Sequence, residues 1–333
     1  MTTGKHLRAV VGAVLYIVGC LLMSDETIAQ PREYKVYHIV AVLGGNLVPA
    51  SEKGLRDGLT DLGYVENRNF IYQVLHSRDP EKLRAVMQGH GQQKPDLFVT
   101  FGEAETAIVK EAARTFPIVF LGVAAPLDAG FVKSLTKPAT NLTGIAFYRG
   151  PGDHAKKLEI LKEAVPTLKR AIILYDQQKE NVTESSALGI IKQVARHLGI
   201  RIAERPVRSA ADAERAISSV PKRMAGILPI CRGIFWDIKA VASMAIKRGL
   251  PLSGCSKRQA VEDRALIAYA PDVYRIGRRG AWYVHGILHG AKPQDLPVET
   301  PLKFELTVNV KTADAIGLKI PPEVLQRADN VIR

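Results

Sequence analysis

The 333-residue sequence lacks the signatures that carry covalent or nucleotide chemistry. It has no Gly-x-Ser-x-Gly elbow, no Gly-x4-Gly-Lys phosphate loop, no His-Glu-x-x-His pair and no Gly-x-Gly-x-x-Gly fingerprint. No nucleophile or acid–base pair with adequate spacing replaces them, so the expectation is a protein that is not an enzyme and uses no cofactor. Long polar and low-complexity tracts are also missing, and 47% of residues are apolar, as in a folded soluble chain. Cysteine is scarce. Of three residues, Cys20 lies near the N-terminus, which leaves Cys231 and Cys255 for the body of the chain. Each ends an expected strand, and one crossover helix (Phe235–Arg248) separates the two. Adjacent parallel strands would bring them within disulfide range, whereas an intervening strand would keep two free thiols. Clusters of one charge sign are missing too. The net charge is +13, yet basic residues occur only as pairs such as Lys247-Arg248, Lys257-Arg258 and Arg278-Arg279, with no interleaved aromatics. That is a solvated basic surface, and no nucleic-acid partner is expected.

The first 29 residues stand apart. Lys5 and Arg8 precede the apolar run Ala9–Met23, and Thr27-Ile28-Ala29 supplies small residues before Gln30. This is the pattern of a signal peptide cleaved near Ala29. The run is short of the roughly 20 residues that span a bilayer. Lipidation at Cys20, within Ile17-Val18-Gly19-Cys20, and a retained anchor are the alternatives. Cleavage removes Lys5, Arg8, Asp25 and Glu26, two charges of each sign, so +13 is retained. A periplasmic protein is expected.

Two stretches follow one script. Gly54–Gly102 reads helix, Leu62-Gly63 stop, strand, helix, strand, glycine loop. Ala187–Gly233 repeats it with Leu198-Gly199 as the stop. The pattern predicts an α/β fold of two Rossmann-like lobes with parallel sheets, joined by a multi-strand hinge. Lobe 1 is expected over 30–147 with about 271–295 crossing back, and lobe 2 over 148–270 with about 300–333. A short helix is predicted near Leu127–Leu135. Phe304–Val310 alternates like an edge strand, and the tail from Thr312 to Ala328 reads as helical.

Parallel sheets bind ligands outside the C-terminal ends of their strands, where backbone N–H groups and helix N-termini favour carboxylate or phosphate. The candidates in lobe 1 are Gly45, Asn46, Phe101, Gly102, Glu103, Ala104, Val123 and Ala124, with Tyr148 after its last strand. In lobe 2 they are Asp176, Cys231, Arg232, Gly254, Ser256, Tyr269 and Asp272. Arg232 suits a ligand carboxylate, and Asp176, Asp272 or Glu103 an ammonium. Phe101, Tyr148, Trp236 and Tyr269 offer aromatic walls. For each, a cap, turn or core role competes with ligand contact. His285 and His289, four apart on one helix face, read as half-exposed histidines, since no carboxylate lies nearby on that face; no metal is expected.

Several segments resemble a known family. Gly54-Leu-Arg-Asp-Gly-Leu-Thr-Asp-Leu-Gly-Tyr64, Phe116-Pro-Ile-Val-Phe120 and Leu135-Thr-Lys-Pro-Ala-Thr-Asn-Leu-Thr-Gly144 are similar to ABC-transporter substrate-binding proteins of the tryptophan-binding type. So are Leu296-Pro-Val-Glu-Thr-Pro-Leu-Lys-Phe-Glu-Leu306 and Asn309-Val-Lys-Thr-Ala-Asp-Ala-Ile-Gly-Leu-Lys-Ile-Pro-Pro322. The resemblance implies a periplasmic binding protein type I fold that captures a small amino acid or aromatic acid between lobes. It also implies ABC permease subunits as partners for a monomer or weak dimer. A receptor feeding a membrane signalling sensor would look the same, and an exported α/β enzyme is a more distant alternative. Three loops depart from the family's pattern: Ala124-Ala125-Pro126, Cys231-Arg232-Gly233, and the acidic Glu103 and Glu105 after Gly102. They lie where ligand contacts are expected, so plain tryptophan or phenylalanine is expected to bind weakly.

Overall fold

Continuous apolar runs form the centre of a first sheet because helices cover both its faces. In the computed structural model its five strands are β1 (Tyr37–Leu43), β2 (Phe70–His76), β3 (Leu97–Phe101), β4 (Ile118–Val123) and β5 (Leu142–Ala146). All are parallel, in the order β2-β1-β3-β4-β5. The structure describes residues 35–44, 48–77, 79–90, 94–177, 182–221, 225–231, 235 and 237–333. The expected signal peptide and Cys20 lie outside them. Val36–Arg333 forms one compact unit.

Alternation along β1 assigns the faces. Ile39, Ala41 and Leu43 pack with Leu55 and Leu59 of α1 (Val48–Asp61). Val40 and Val42 pack with Leu83 and Met87 of α2 (Pro80–His90) and with Ile108 and Val109 of α3 (Glu103–Ala112). Edge strand β2 instead exposes Ile71 and Val74.

The second sheet repeats the arrangement. β6 (Arg170–Asp176) lies between β7 (Arg201–Val207) and β8 (Gly226–Pro229), so β7-β6-β8 matches β2-β1-β3. A bridge between Ile227 and Leu252 extends it to β9 (Ser253–Gly254), β10 (Ile267–Pro271), β11 (Phe304–Asn309) and β12 (Asn330–Ile332). Only β11 runs antiparallel to its neighbour β10. Ile173 packs on α4 (Gly152–Ala164) and α5 (Val182–His197), while Ile172 and Leu174 face α6 (Ala210–Ser218) and α7 (Lys239–Arg248). α8 (Lys257–Val261), α10 (Val310–Ile316) and α11 (Pro322–Arg327) complete this part.

After β10 the chain returns to the first sheet as α9 (Val273–Leu288). Its contact with α1 is made backbone to backbone at glycines. A Cβ on Gly54 would overlap the Tyr274 carbonyl oxygen, and one on Gly277 the Ser51 carbonyl oxygen. At Gly58 it would stand 2.7 Å from the Ala281 Cβ. The Tyr274 hydroxyl donates to Asp57 (2.8 Å), and Arg278 pairs with Asp61. The return strand is tied down as well. Arg279 holds Glu299 through two hydrogen bonds of 2.8 and 2.6 Å, and the Ala146 N–H donates to the Glu299 carbonyl (2.8 Å) beside β5.

Three expectations need correction. Leu127–Leu135 is a chain of turns, because Gly130 adopts a left-handed φ of 64° directly after one turn closes through Ala129 N–H to the Ala125 carbonyl (3.0 Å). β11 is interior, flanked by β10 and β12, and only its first two residues, Phe304 and Glu305, are partly exposed, so sequence alternation does not report an edge here. The tail is two short helices and a strand, since left-handed Gly317 ends α10 and Pro321-Pro322 start α11.

The glycine contact yields a direct test. Gly277→Ala should destabilise by about 1–3 kcal/mol, seen as a lower urea midpoint at unchanged m-value. An unchanged midpoint would mean that the two helices separate freely.

Candidate functional site

The order β2-β1-β3 reverses direction at β1, so a crevice opens between the C-terminal ends of β1 and β3, the switch point at which open α/β sheets bind ligands. Leu43 and Phe101 are paired there, followed by Gly44 and Gly102. Gly102 has φ 114°, donates its N–H to the Leu121 carbonyl (3.1 Å) and starts α3 with no side-chain cap. The first turn of α3 is braced from within. Thr106 Oγ1 donates to the Gly102 carbonyl (2.5 Å) and lies 2.7 Å from Thr100 Oγ1. Glu105, in the same turn, is 8% exposed, and burial raises its carboxyl pKa, opposed by a hydrogen bond from its own backbone N–H.

In the second sheet, β8 leads to Cys231 and β9 to Cys255. These two form a disulfide with Cα atoms 5.4 Å apart. Against it lies Lys157 of α4, fully buried. Its ammonium donates to Cys231 Sγ (3.1 Å) and to the Tyr148 hydroxyl (3.3 Å), with the Tyr148 ring centroid 4.9 Å away. Tyr148 follows β5 of the first sheet, so the C-terminal ends of β5 and β8 meet at this lysine. Burial pulls the Lys157 pKa down to about 7, against the opposing pull of Asp153. The Asp153 carboxylate also pairs with Arg149 (3.2 Å). Arg149 lies 4.1 Å from the Phe304 ring centroid and donates to the Tyr269 hydroxyl (3.4 Å).

The expected site residues separate by role. Phe101 and Tyr148 are buried, Gly102, Glu103 and Ala124 are half-buried and Ala104 is exposed, all at strand ends of the first sheet. Asp176 is buried at the end of β6. Ser256 caps α8 by accepting from Gln259 N–H (3.3 Å), and Asp272 caps α9 by accepting from Arg275 N–H (3.2 Å). Tyr269 packs on Phe304 with centroids 5.2 Å apart. Gly45, Asn46, Arg232 and Trp236 lie outside the described residues. His285 shares a 3.1 Å hydrogen bond with the Tyr64 hydroxyl, and His289 Nδ1 donates to the His285 carbonyl (2.8 Å). Among the described residues no group of three His, Cys, Asp or Glu side chains is arranged to hold a metal. None of the helices there is long and apolar enough to cross a membrane.

Sequence reasoning missed Lys157, Arg149 and Asp153. The available signal was three titratable residues, Asp153, His154 and Lys157, within the first turns of a helix whose buried face continues as Leu158, Leu161 and Ala164. A separate cavity of about 270 Å³, lined by Thr167, Arg170, Arg201 and Gly317, lies at the start of β6 and β7, at the opposite ends of those strands from the crevice.

The order β2-β1-β3, repeated as β7-β6-β8 in a second sheet, is the architecture of the periplasmic binding protein type I fold. The chain belongs to the ABC transporter substrate-binding protein family, whose model matches residues 37–332. It is 23% identical over 271 residues to a tyrosine-binding protein of Clostridioides difficile strain R20291, covering 81% of this chain and 77% of that protein. A conserved domain protein of Vibrio cholerae superposes with TM-score 0.78 at 26% identity, over 89% of this chain and all of that one. An ABC domain from Streptococcus pneumoniae in complex with L-Trp also gives 0.78, at 22% identity, over 90% of this chain and all of that one.

Lys157 imposes a pH dependence. Unfolded, the lysine keeps its proton up to about pH 10.5; folded, it loses it above about 7. The unfolded state therefore binds more protons in that window, and stability rises with pH at up to about 1.4 kcal/mol per unit from this group. Chemical denaturation of Lys157→Met against the parent should show the variant more stable below pH 7 and the gap closing towards pH 10. A constant gap would place the titration elsewhere.

Proposed function

We propose that this protein is the periplasmic solute receptor of an ABC importer, and that it captures an amino acid or aromatic acid between its two sheets. The observation that carries the reading is the meeting of strand C-terminal ends at Tyr148, Lys157 and Cys231, which supports a binding crevice between the two sheets. Chain crossings at 147–151, 271–273 and 296–303 act as the hinge, and closure buries the ligand. The lobes then comprise 30–147 with 271–295, and 148–270 with 300–333, after export and cleavage near Ala29. Names of relatives that bind tyrosine or tryptophan support the ligand class. Arg232 grips the carboxylate, and Tyr148 and Tyr269 wall the remainder. Membrane permease subunits receive the closed form.

A thermal-shift screen of the chain from Gln30 onwards, against amino acids, aromatic carboxylates, dicarboxylates and purines, tests this. A ligand at 100 times its Kd adds about 2.7 kcal/mol, and one chemical class should give that rise. Plain tryptophan and phenylalanine should give less than the best ligand. A flat screen would count against a solute receptor for these classes.

A further inference from the structure

The carboxylate of Glu105 occupies the place where the first sheet would otherwise receive an anion. It stands over the paired ends of β1 and β3: a Cβ on Gly44 would overlap Glu105 Oε1, and one on Gly102 would stand 2.9 Å from Oε2. Both positions are glycine where this side chain lies across them. The group is 8% exposed, and no side chain among the described residues forms an ion pair or hydrogen bond with its carboxylate. An ionised carboxylate offers about four acceptor positions. The α3 N-terminus favours negative charge here, but burial opposes it, so a partly desolvated acid stands in the switch-point crevice with acceptors to offer.

We infer that Glu105 binds a primary ammonium group of the ligand, so the receptor selects amine-bearing solutes and turns their carboxylate, where present, towards the second sheet. This rests on the solute-receptor reading above. An ammonium supplies three donors and a positive charge, and beside a largely buried carboxylate these make short, charge-assisted hydrogen bonds. A ligand carboxylate cannot share the spot, because two like charges at contact distance do not both ionise. Glu103 and Asp272, the acids that sequence position alone suggests for an amine, are placed differently. Glu103 opens α3 and is half-buried, whereas Asp272 is engaged as the cap of α9 and in an ion pair with Arg275 (3.2 Å).

The test uses the chain from Gln30 onwards and two probe sets in calorimetric titration and thermal shift. One set carries an amine: L-tyrosine, L-tryptophan, tyramine and tryptamine. The other lacks it: 3-(4-hydroxyphenyl)propionate and indole-3-propionate. Amine probes should bind at least tenfold more tightly than their deaminated partners. Glu105→Gln should weaken amine binding about 10- to 100-fold. The same variant should raise the melting temperature of the unliganded protein, since it removes a buried charge, whereas loss of a purely structural carboxylate would lower it. Deaminated acids that bind as well as the amines, or a Glu105→Gln variant that melts lower and binds unchanged, would overturn the assignment and leave the receptor reading intact. Binding by neither set would overturn the assignment, and the receptor reading falls with it only if the wider screen above is also flat.

Discussion

The backbone contact between α1 and α9 is the constraint on which the rest depends. α9 comes from the second sheet's sequence, yet it completes the cover of the first, and it fits there only because Gly54, Gly58 and Gly277 let carbonyl oxygens of one helix touch the Cα surface of the other. Such proximity buries Leu55, Leu59, Ala281 and Val284 in a single cluster that continues through Phe147 and Tyr148 to Cys231 and Cys255. The chain must therefore leave and return, and its three crossings hold the strand ends of both sheets at one place. The Arg279–Glu299 pair fastens the last crossing to the same helix.

Against that apolar frame, two ionisable groups at the strand ends are buried. Lys157 on the second sheet's side and Glu105 on the first are both deprived of water, and each has its pKa moved towards the neutral form. Neither is an efficient way to stabilise a fold, since a hydrophobic side chain of similar volume avoids the desolvation penalty. Lys157 has partners of its own in Tyr148, Cys231 and Asp153, whereas the presence of Glu105 is understandable if a ligand group completes its charged form. A receptor gains by it: binding energy from restoring partners to buried charges is large and specific to ligands with the right donors.

Legibility of the sequence followed the range of the physical signal. The helix-strand script of Gly54–Gly102 and Ala187–Gly233 announced the parallel sheets, and the paired Leu-Gly stops exposed the repeat, because periodicity and turn chemistry act within a few residues. The segment Leu127–Leu135 misled for the same reason: its composition permits a helix, but Gly130 and the turn through Ala125 break it. β11 looked like an edge strand because alternation reports how buried a face is and says nothing about whether a neighbour such as β12 pairs alongside. At the site, Ser256 and Asp272 were drawn as ligand candidates by their position after strands, and the same position makes them helix caps. Lys157 was passed over because a lysine is ordinarily assigned to solvent, and only its neighbours reveal that it is buried.

The amino-acid sequence by itself determined the α/β class, the duplicated β-α-β-α-β units and the strand ends at which a ligand could sit, since these follow from local spacing of apolar residues, glycines and caps. Only the tertiary structure decided that α9 lies on α1, that β8 and β9 bring Cys231 to Cys255, and that Glu105 and Lys157 are buried. Those outcomes depend on which distant segments pack together, and burial, the quantity that changes a charge's behaviour, is a property of the packed chain.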